Sequence, residues 1–166
     1  MPDQTPVKPA KAAASDRRAS GITWVLVADL GRARLLELQR PDGRLLEIES
    51  FVNPQGRGPE REQRTDRPPR VQESANSARH AIEPHTSLRE KSAERFAREL
   101  SEMLERGRHD SRFDRLLVIA PPQFLGVLRV AFGKSLRDLV VDEIAHEMTT
   151  RSTQAIHDRL PAVALR

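Results

Sequence analysis

The sequence predicts an α/β fold with one mixed, five-stranded sheet, and two apolar runs indicate it. From Ile22 to Ala28 nearly every residue is apolar, including the residues that would point to opposite faces of a strand. A strand with one wet face would alternate, so this run is typical of a strand covered on both faces at the centre of a sheet. Leu116 to Ala120 is a second, shorter run of the same kind. Helically spaced apolar residues recur over 93–104 and again over 124–132, which favours helices packed on the sheet.

The first third of the chain is predicted to be a three-stranded antiparallel meander. The first strand covers about 22–28 and the second about 33–39, with a short Gly-containing break at 29–31 that is typical of a hairpin. A Pro-Asp-Gly turn at 41–43 precedes a third strand at about 44–51. This strand alternates only in part, which indicates an edge position with one wetter face.

The clearest helix is predicted to begin at Ser87, which forms a Ser-x-x-Glu capping box with Glu90. Apolar residues from Ala93 to Leu104 recur at spacings of three and four and mark its buried face. Gly107 is expected to end it. Two i, i+4 ion pairs are expected on its solvent side: Glu94 with Arg98, and Glu102 with Arg106.

The last third of the chain alternates strand and helix. Two prolines end the strand at 116–120 and begin a helix that Gly133 ends, and a further turn is expected at 135–138. A fifth strand covers about 139–145, and Ser152 or Thr153 is expected to cap a last helix that continues to Leu160.

The predicted element order is therefore β-β-β-α-β-α-β-α. Strand–helix–strand crossovers between parallel strands are nearly always right-handed. The fourth strand should then lie parallel beside the first, and the fifth beside the fourth. This gives the sheet order 3-2-1-4-5 with helices on both faces, a ribonuclease-H-like three-layer fold.

Composition bounds the class of protein. A chain of 166 residues is long enough for one domain with a buried core, which we place at 21–166. The absence of Cys excludes disulfides and thiolate metal sites. No apolar run reaches the roughly 18 residues of a membrane span. Residues 1–20 lack the apolar core of a secretion signal, so we expect a disordered tail and a cytoplasmic protein without membrane contact.

A long segment at 52–86 shows no hydrophobic period and is rich in proline and glycine. Loops of this length are usually functional or disordered, so both a binding loop and a tolerated surface insertion stay open. Between 53 and 80, six Arg face four acidic residues, and the tail carries four Lys and Arg against two Asp. These two segments hold the whole net charge of +4, which favours an acidic or polyanionic partner.

Catalytic candidates are few. Asp29 follows the first strand, where ribonuclease-H-type nucleases place a metal-binding carboxylate, but two-metal chemistry needs further acids beside it. The nearest in the predicted fold are Glu47, Glu49 and Asp142, and Asp before Gly in a turn is ordinary turn chemistry. His80, Glu83 and His85 cluster before the predicted helix and are interpreted either as a general acid–base group or as a solvated approach to the helix. We therefore predict no catalytic group, no metal site and no cofactor.

Several separated motifs resemble the bacterial host attachment family, the proteins required for attachment to host cells, over about residues 22–160. They are Trp24-Val-Leu-Val-Ala-Asp29, Arg32-Ala-Arg34, Phe51-Val-Asn-Pro54, Asp66-Arg-Pro68, Arg79-His-Ala-Ile-Glu-Pro84, Ala93-Glu-Arg-Phe-Ala-Arg-Glu-Leu100 and Leu117-Val-Ile-Ala-Pro-Pro-Gln-Phe-Leu-Gly126. That family is similar to the middle domain of archaeo-eukaryotic peptide-chain release factors. There the loop after the third strand carries Gly-Gly-Gln, which places water on the peptidyl-tRNA ester.

The corresponding region here reads Gln55-Gly-Arg-Gly58, without Gly-Gly-Gln. The resemblance therefore implies a non-catalytic module whose Arg-rich loop contacts RNA or the ribosome through phosphates. The alternative is a protein-interaction or regulatory factor that affects host attachment indirectly. The candidate binding residues are Arg57, Arg61, Arg64, Asp66, Arg67, Arg70, Arg79, His80 and Glu83.

Overall fold

The computed structural model describes residues 21–56 and 79–162, with side chains described over 21–56 and 88–162. The strands are β1 (Thr23–Ala28), β2 (Arg32–Leu38), β3 (Leu45–Val52), β4 (Arg115–Ala120) and β5 (Val140–Ala145). The helices are α1 (Arg79–His109), α2 (Pro122–Ala131), α3 (Lys134–Arg137) and α4 (Thr153–His157), and a short 3-10 turn covers Pro54–Gly56. None of the described helices combines the length and the apolar character that crossing a membrane requires.

The five strands form one sheet in the order β3-β2-β1-β4-β5. β1 is antiparallel to β2 and parallel to β4, and β4 is parallel to β5. The predicted sheet order, strand directions and ribonuclease-H-like topology are therefore confirmed.

Strand β1 is buried along its whole length, as its unbroken apolar pattern predicts. Alternate side chains of a strand point to opposite faces, so β1 contributes to two cores. Trp24 and Leu26 pack in the core that also contains residues of α1 and α2. Val25 and Val27 pack on the other face with Ile156 of α4 and its neighbours. The result is three layers, with helices on both faces of the sheet.

Helix α1 differs from its prediction at both ends. It begins at Arg79 rather than at Ser87, so Ser87 lies inside the helix and the predicted capping box is wrong. Pro84 lies inside this helix and removes one intrahelical hydrogen bond, but tertiary packing supplies most of a helix's stability. The helix also continues past Gly107 to His109. A β-carbon at Gly107 would lie 2.6 Å from the Trp24 ring, so this glycine permits close packing and does not end the helix.

The two ion pairs predicted on the solvent side of α1 are not among the ion pairs of the described side chains. Arg98 instead donates from Nε to the backbone carbonyl of Glu94 at 3.3 Å. An ion pair one residue further along the helix, Arg95 with Glu99 at 3.7 Å, is present. Exposed pairs of this kind contribute little, so small differences in rotamer decide which of them forms.

The remaining elements lie within one or two residues of their predicted bounds, except that α4 ends at His157 rather than at Leu160. Helix α2 ends at Ala131, and Phe132 is buried immediately after it. Of the two predicted caps of the last helix, Ser152 is the one observed: its Oγ accepts a hydrogen bond from the backbone N–H of Ala155 at 3.2 Å, and Thr153 is the first helical residue.

Replacing Trp24 with alanine tests the central position of β1. The indole is 1% exposed and stacks on Phe113 with 4.5 Å between ring centroids, so its removal leaves a large cavity. We expect the free energy of unfolding to fall by about 3–5 kcal/mol, measured by urea denaturation. Leu46→Ala is the control, because Leu46 is 58% exposed and its loss should cost no more than about 0.5 kcal/mol. Equal effects of the two changes would contradict a buried, central β1.

Candidate functional site

A polar cleft of about 270 Å³ lies at the sheet edge where the parallel strands β1 and β4 end. Beyond this edge β1 turns into the hairpin with β2, whereas β4 continues into α2. Crevices at the carboxyl ends of parallel strands, where neighbouring connections diverge, are the usual ligand sites of open α/β sheets. The lining residues are Asp29, Leu30, Gly31, Arg32, Gly56, Arg89, Pro121, Gln123, Phe124 and Glu147.

Asp29 organises the turn between β1 and β2. Its Oδ1 accepts hydrogen bonds from the backbone N–H groups of Gly31 at 2.6 Å and Arg32 at 2.8 Å. The Asp29 N–H donates in turn to the carbonyl of Arg32 at 2.8 Å. One oxygen of this carboxylate is therefore occupied by turn geometry, which is the local role that Asp before Gly commonly has.

The second carboxylate oxygen of Asp29 faces Thr149. The buried Thr149 hydroxyl lies within hydrogen-bond distance of Asp29 Oδ2 and, at 2.7 Å, of Glu147 Oε1. Glu147 Oε1 also accepts from the Thr149 backbone N–H at 3.0 Å. These contacts join the loop after β5 to the turn after β1, so both acids of the cleft have structural partners.

The other acids considered as metal ligands lie in separate environments. Glu47 forms an ion pair with Arg34 at 2.7 Å, and Asp142 accepts from the backbone N–H of Glu143 at 2.8 Å. Glu49 lies on the edge strand β3, opposite Leu35 of β2. Among the side chains described over 21–56 and 88–162, no three His, Asp or Glu are grouped so that they could hold a metal ion.

Asn53 attaches the chain after β3 to the cleft. Its side-chain amide donates to the Leu30 carbonyl at 2.8 Å and contacts Ser92 Oγ of α1 at 3.1 Å, and both side chains are buried. The Asn53 backbone N–H donates to the Gly31 carbonyl at 2.8 Å. One side chain thus joins the end of β3, the turn after β1 and helix α1.

Gly56 is the last described residue before the Arg-rich segment, and it lies against the same turn. A β-carbon at this position would lie 1.6 Å from the carbonyl oxygen of Leu30, so only glycine fits. On the outer side, Arg95 of α1 donates to Gln55 Oε1 at 2.8 Å. The position at which the chain leaves toward residue 57 is therefore fixed beside the cleft.

Several hydrogen-bond donors of the cleft have no acceptor among the described residues. The half-buried Arg32 and the exposed Arg89 make no ion pair or side-chain hydrogen bond within the described part of the chain. Arg34, two residues beyond Arg32, pairs instead with Glu47 and donates to the carbonyl of Arg151 at 2.7 Å. The backbone N–H groups of Gln123 and Phe124, in the first turn of α2, have no intrahelical acceptor. The cleft is therefore suited to a ligand rich in acceptors.

The residues predicted from sequence fall into two groups. Arg57, Arg61, Arg64, Asp66, Arg67 and Arg70 lie outside the described residues. Arg79, His80 and Glu83 were expected in the loop, but the backbone places all three in the first turns of α1. The loop boundary at 86 is therefore wrong, because α1 begins at Arg79.

The sequence pointed to Asp29 but not to the other polar residues that build the cleft. Arg32 and Asn53 appeared only inside motifs of the family resemblance, without a role, and Arg89 was not considered. Asn before Pro is a turn signal, so Asn53-Pro54 indicated a turn directly after β3. The bond from Asn53 to Leu30 spans 23 residues, and no local pattern predicts it.

The fold and the cleft together define an α/β protein of ribonuclease-H-like topology with a polar cleft at the carboxyl edge of its parallel strands. The chain belongs to the family described as "Protein required for attachment to host cells", whose family model matches residues 24–160. It is also similar to an uncharacterized protein of Rickettsia prowazekii (strain Madrid E), with 30% identity over 77 residues. That match covers 45% of this chain and 51% of the relative, so it spans about half of the relative's length.

Replacing Asn53 with alanine tests the attachment of β3 to the cleft. The change leaves the Leu30 carbonyl and Ser92 without their partner, so we expect a loss of about 1–3 kcal/mol in the free energy of unfolding. Gln55→Ala is the matched control, because its bond to Arg95 is exposed and its loss should cost no more than about 0.5 kcal/mol. Urea denaturation of both variants checks this. A loss for Asn53→Ala as small as that of the control would contradict the proposed attachment.

Proposed function

We propose that this family member is a non-catalytic binding module that contacts RNA, free or within the ribosome, through phosphate groups at the cleft and along the Arg-rich segment that begins beside it. One observation carries the proposal. The chain enters that segment at Gly56, which lines the cleft, and the helix that follows it contributes Arg89 to the same cleft. The segment is thus tethered next to cationic donors that have no described partner.

The residue type favours phosphate over other anions. Between 57 and 78 the sequence contains five Arg and no Lys. The planar guanidinium group presents donors in a fork that matches two oxygens of one phosphate. Arg32 and Arg89 extend this set of guanidinium groups into the cleft. The four acids of the same segment leave it a net charge of only +1, so the proposed affinity rests on specific contacts and not on a strong field.

The topology supports the comparison with release-factor middle domains. The described chain has the same order of strands and helices that the resemblance implies, and its Arg-rich segment follows β3, as the Gly-Gly-Gln loop does in those domains. At the start of this segment the chain reads Gln55-Gly-Arg-Gly58. The residues that would place water on an ester are different here, so the proposal extends to RNA contact and not to hydrolysis.

Salt dependence of binding tests this function. Binding to bulk tRNA and to purified ribosomes is measured at several salt concentrations, for wild type and for a variant with five changes to Gln at Arg57, Arg61, Arg64, Arg67 and Arg70. The variant should bind more weakly, and its log–log salt slope should flatten by up to about one unit for each lost phosphate contact. A second variant, Arg32→Gln with Arg89→Gln, should show a smaller change in the same direction.

The control variant carries five exposed cationic residues changed to Gln away from the cleft: Arg44, Arg129, Lys134, Arg137 and Arg159. It should keep most of the affinity and the slope of wild type. Equal slopes for wild type and the loop variant would contradict RNA binding. Capture of a partner from lysate that survives ribonuclease would then favour a protein-interaction factor.

A further inference from the structure

A groove between α1 and α2 lies on the outer surface of the helical layer and shares only Gln123 with the lining of the cleft. Its volume is about 490 Å³. One wall belongs to α2 and is apolar apart from Gln123, and the other is charged and belongs to α1. The lining residues are Glu94, Arg98, Gln123, Gly126, Val127, Val130 and Ala131, and we call this surface the α1/α2 groove.

The apolar wall combines a protruding side chain with an open position. Val130 is 87% exposed, far more than the other large apolar residues found on the described surface. Gly126 lies one turn earlier, and a β-carbon built on it would meet no atom within 4 Å. Helix α2 therefore presents the protruding side chain of Val130 and, four residues earlier on the same side, a gap at Gly126.

The charged wall repeats this spacing with opposite charges. Glu94 and Arg98 are both exposed, and within the described side chains neither forms an ion pair. The carboxylate and the guanidinium group were expected to pair with each other, but Arg98 Nε turns to a backbone carbonyl instead. Each wall of the groove thus carries two complementary features separated by one helical turn.

We propose that the α1/α2 groove binds a second copy of this chain in an antiparallel, two-fold arrangement. The two-fold axis lies in the plane of the contact and crosses both helices. Rotation about this axis places α1 antiparallel to α1 of the second copy, and α2 antiparallel to α2 of the second copy. Val130 of each copy then fills the gap at Gly126 of the other. Glu94 of each copy faces Arg98 of the other. Each of these contacts therefore occurs twice, once in each direction between the two copies, as an isologous interface requires.

One axis position satisfies both pairs of contacts. Ser101 Oγ donates to the Ala131 carbonyl at 3.1 Å, so these two residues lie at the same height along the parallel helices. At a rise of about 1.5 Å per residue, the midpoint of Glu94 and Arg98 then lies within about 3 Å of the midpoint of Gly126 and Val130. A small crossing angle accommodates that difference.

The size of the groove determines the affinity that we expect for the dimer. Stable interfaces bury roughly 1,200–2,000 Å² in total, and two short helical faces bury less. We therefore expect a reversible dimer that forms in the micromolar range and above. This inference does not depend on the proposed function.

Sedimentation equilibrium of the full chain over about 5–500 µM tests the proposal. Wild type should show a monomer–dimer equilibrium, and Val130→Asp should raise the dimer dissociation constant at least tenfold. Val52→Asp is the matched control, because Val52 is 59% exposed on the edge strand β3 and should leave the equilibrium unchanged. Circular dichroism of each variant verifies that it is folded.

A charge exchange tests the arrangement itself. Glu94→Arg alone and Arg98→Glu alone each place like charges opposite one another and should weaken the dimer. The double variant Glu94→Arg with Arg98→Glu restores opposite charges across an antiparallel interface and should recover dimerisation. The proposal would be overturned by a protein that stays monomeric at the highest concentration, by a dimer that is insensitive to Val130→Asp, or by a double variant weaker than both single ones.

Discussion

The pairing of β1 with β2 on one edge and with β4 on the other is the constraint on which the other features depend. Because both faces of β1 are also buried, its residues have no freedom in register or direction. The antiparallel partner requires an immediate turn at Asp29, whereas the parallel partner continues into α2. The connections that follow β1 and β4 therefore diverge at the same edge of the sheet, and the cleft is the space between them.

The fold was predictable because its signals are local and agree with one another. Apolar residues at successive positions, which point to both faces of the sheet, identify a central strand, and the more polar, partly alternating pattern of β3 indicates an edge strand. The start of α1 was not predictable in the same way. Pro84 is a local breaker signal, while the helix is supported by contacts that its later turns make with the sheet and α2. Gly107 was misread for the same reason, because only its neighbour in space, Trp24, explains why a glycine is needed there.

The candidate site was predictable only in part, because its residues are joined across large separations in sequence. The turn role of Asp29 follows from its neighbours along the chain. The bond from Asn53 to Ser92 spans 39 residues, and the contact of Thr149 with Asp29 spans 120. The charge pattern pointed to the Arg-rich segment, but only the fold shows that this segment begins beside a cleft with cationic donors of its own. The periodicity of apolar residues along the chain does not indicate which distant residues lie together in the fold.

Amide hydrogen exchange with and without bulk tRNA tests most directly the proposed contact of RNA with the carboxyl edge of β1 and β4. The account predicts slower exchange at residues 29–32, 53–56 and 123–125, which line or adjoin the cleft. Exchange in α4 and β5 should be unchanged, because α4 lies on the opposite face of the sheet and β5 on its far edge. Protection confined to α4 or β5, or no protection at a tRNA concentration that saturates binding, would contradict the account.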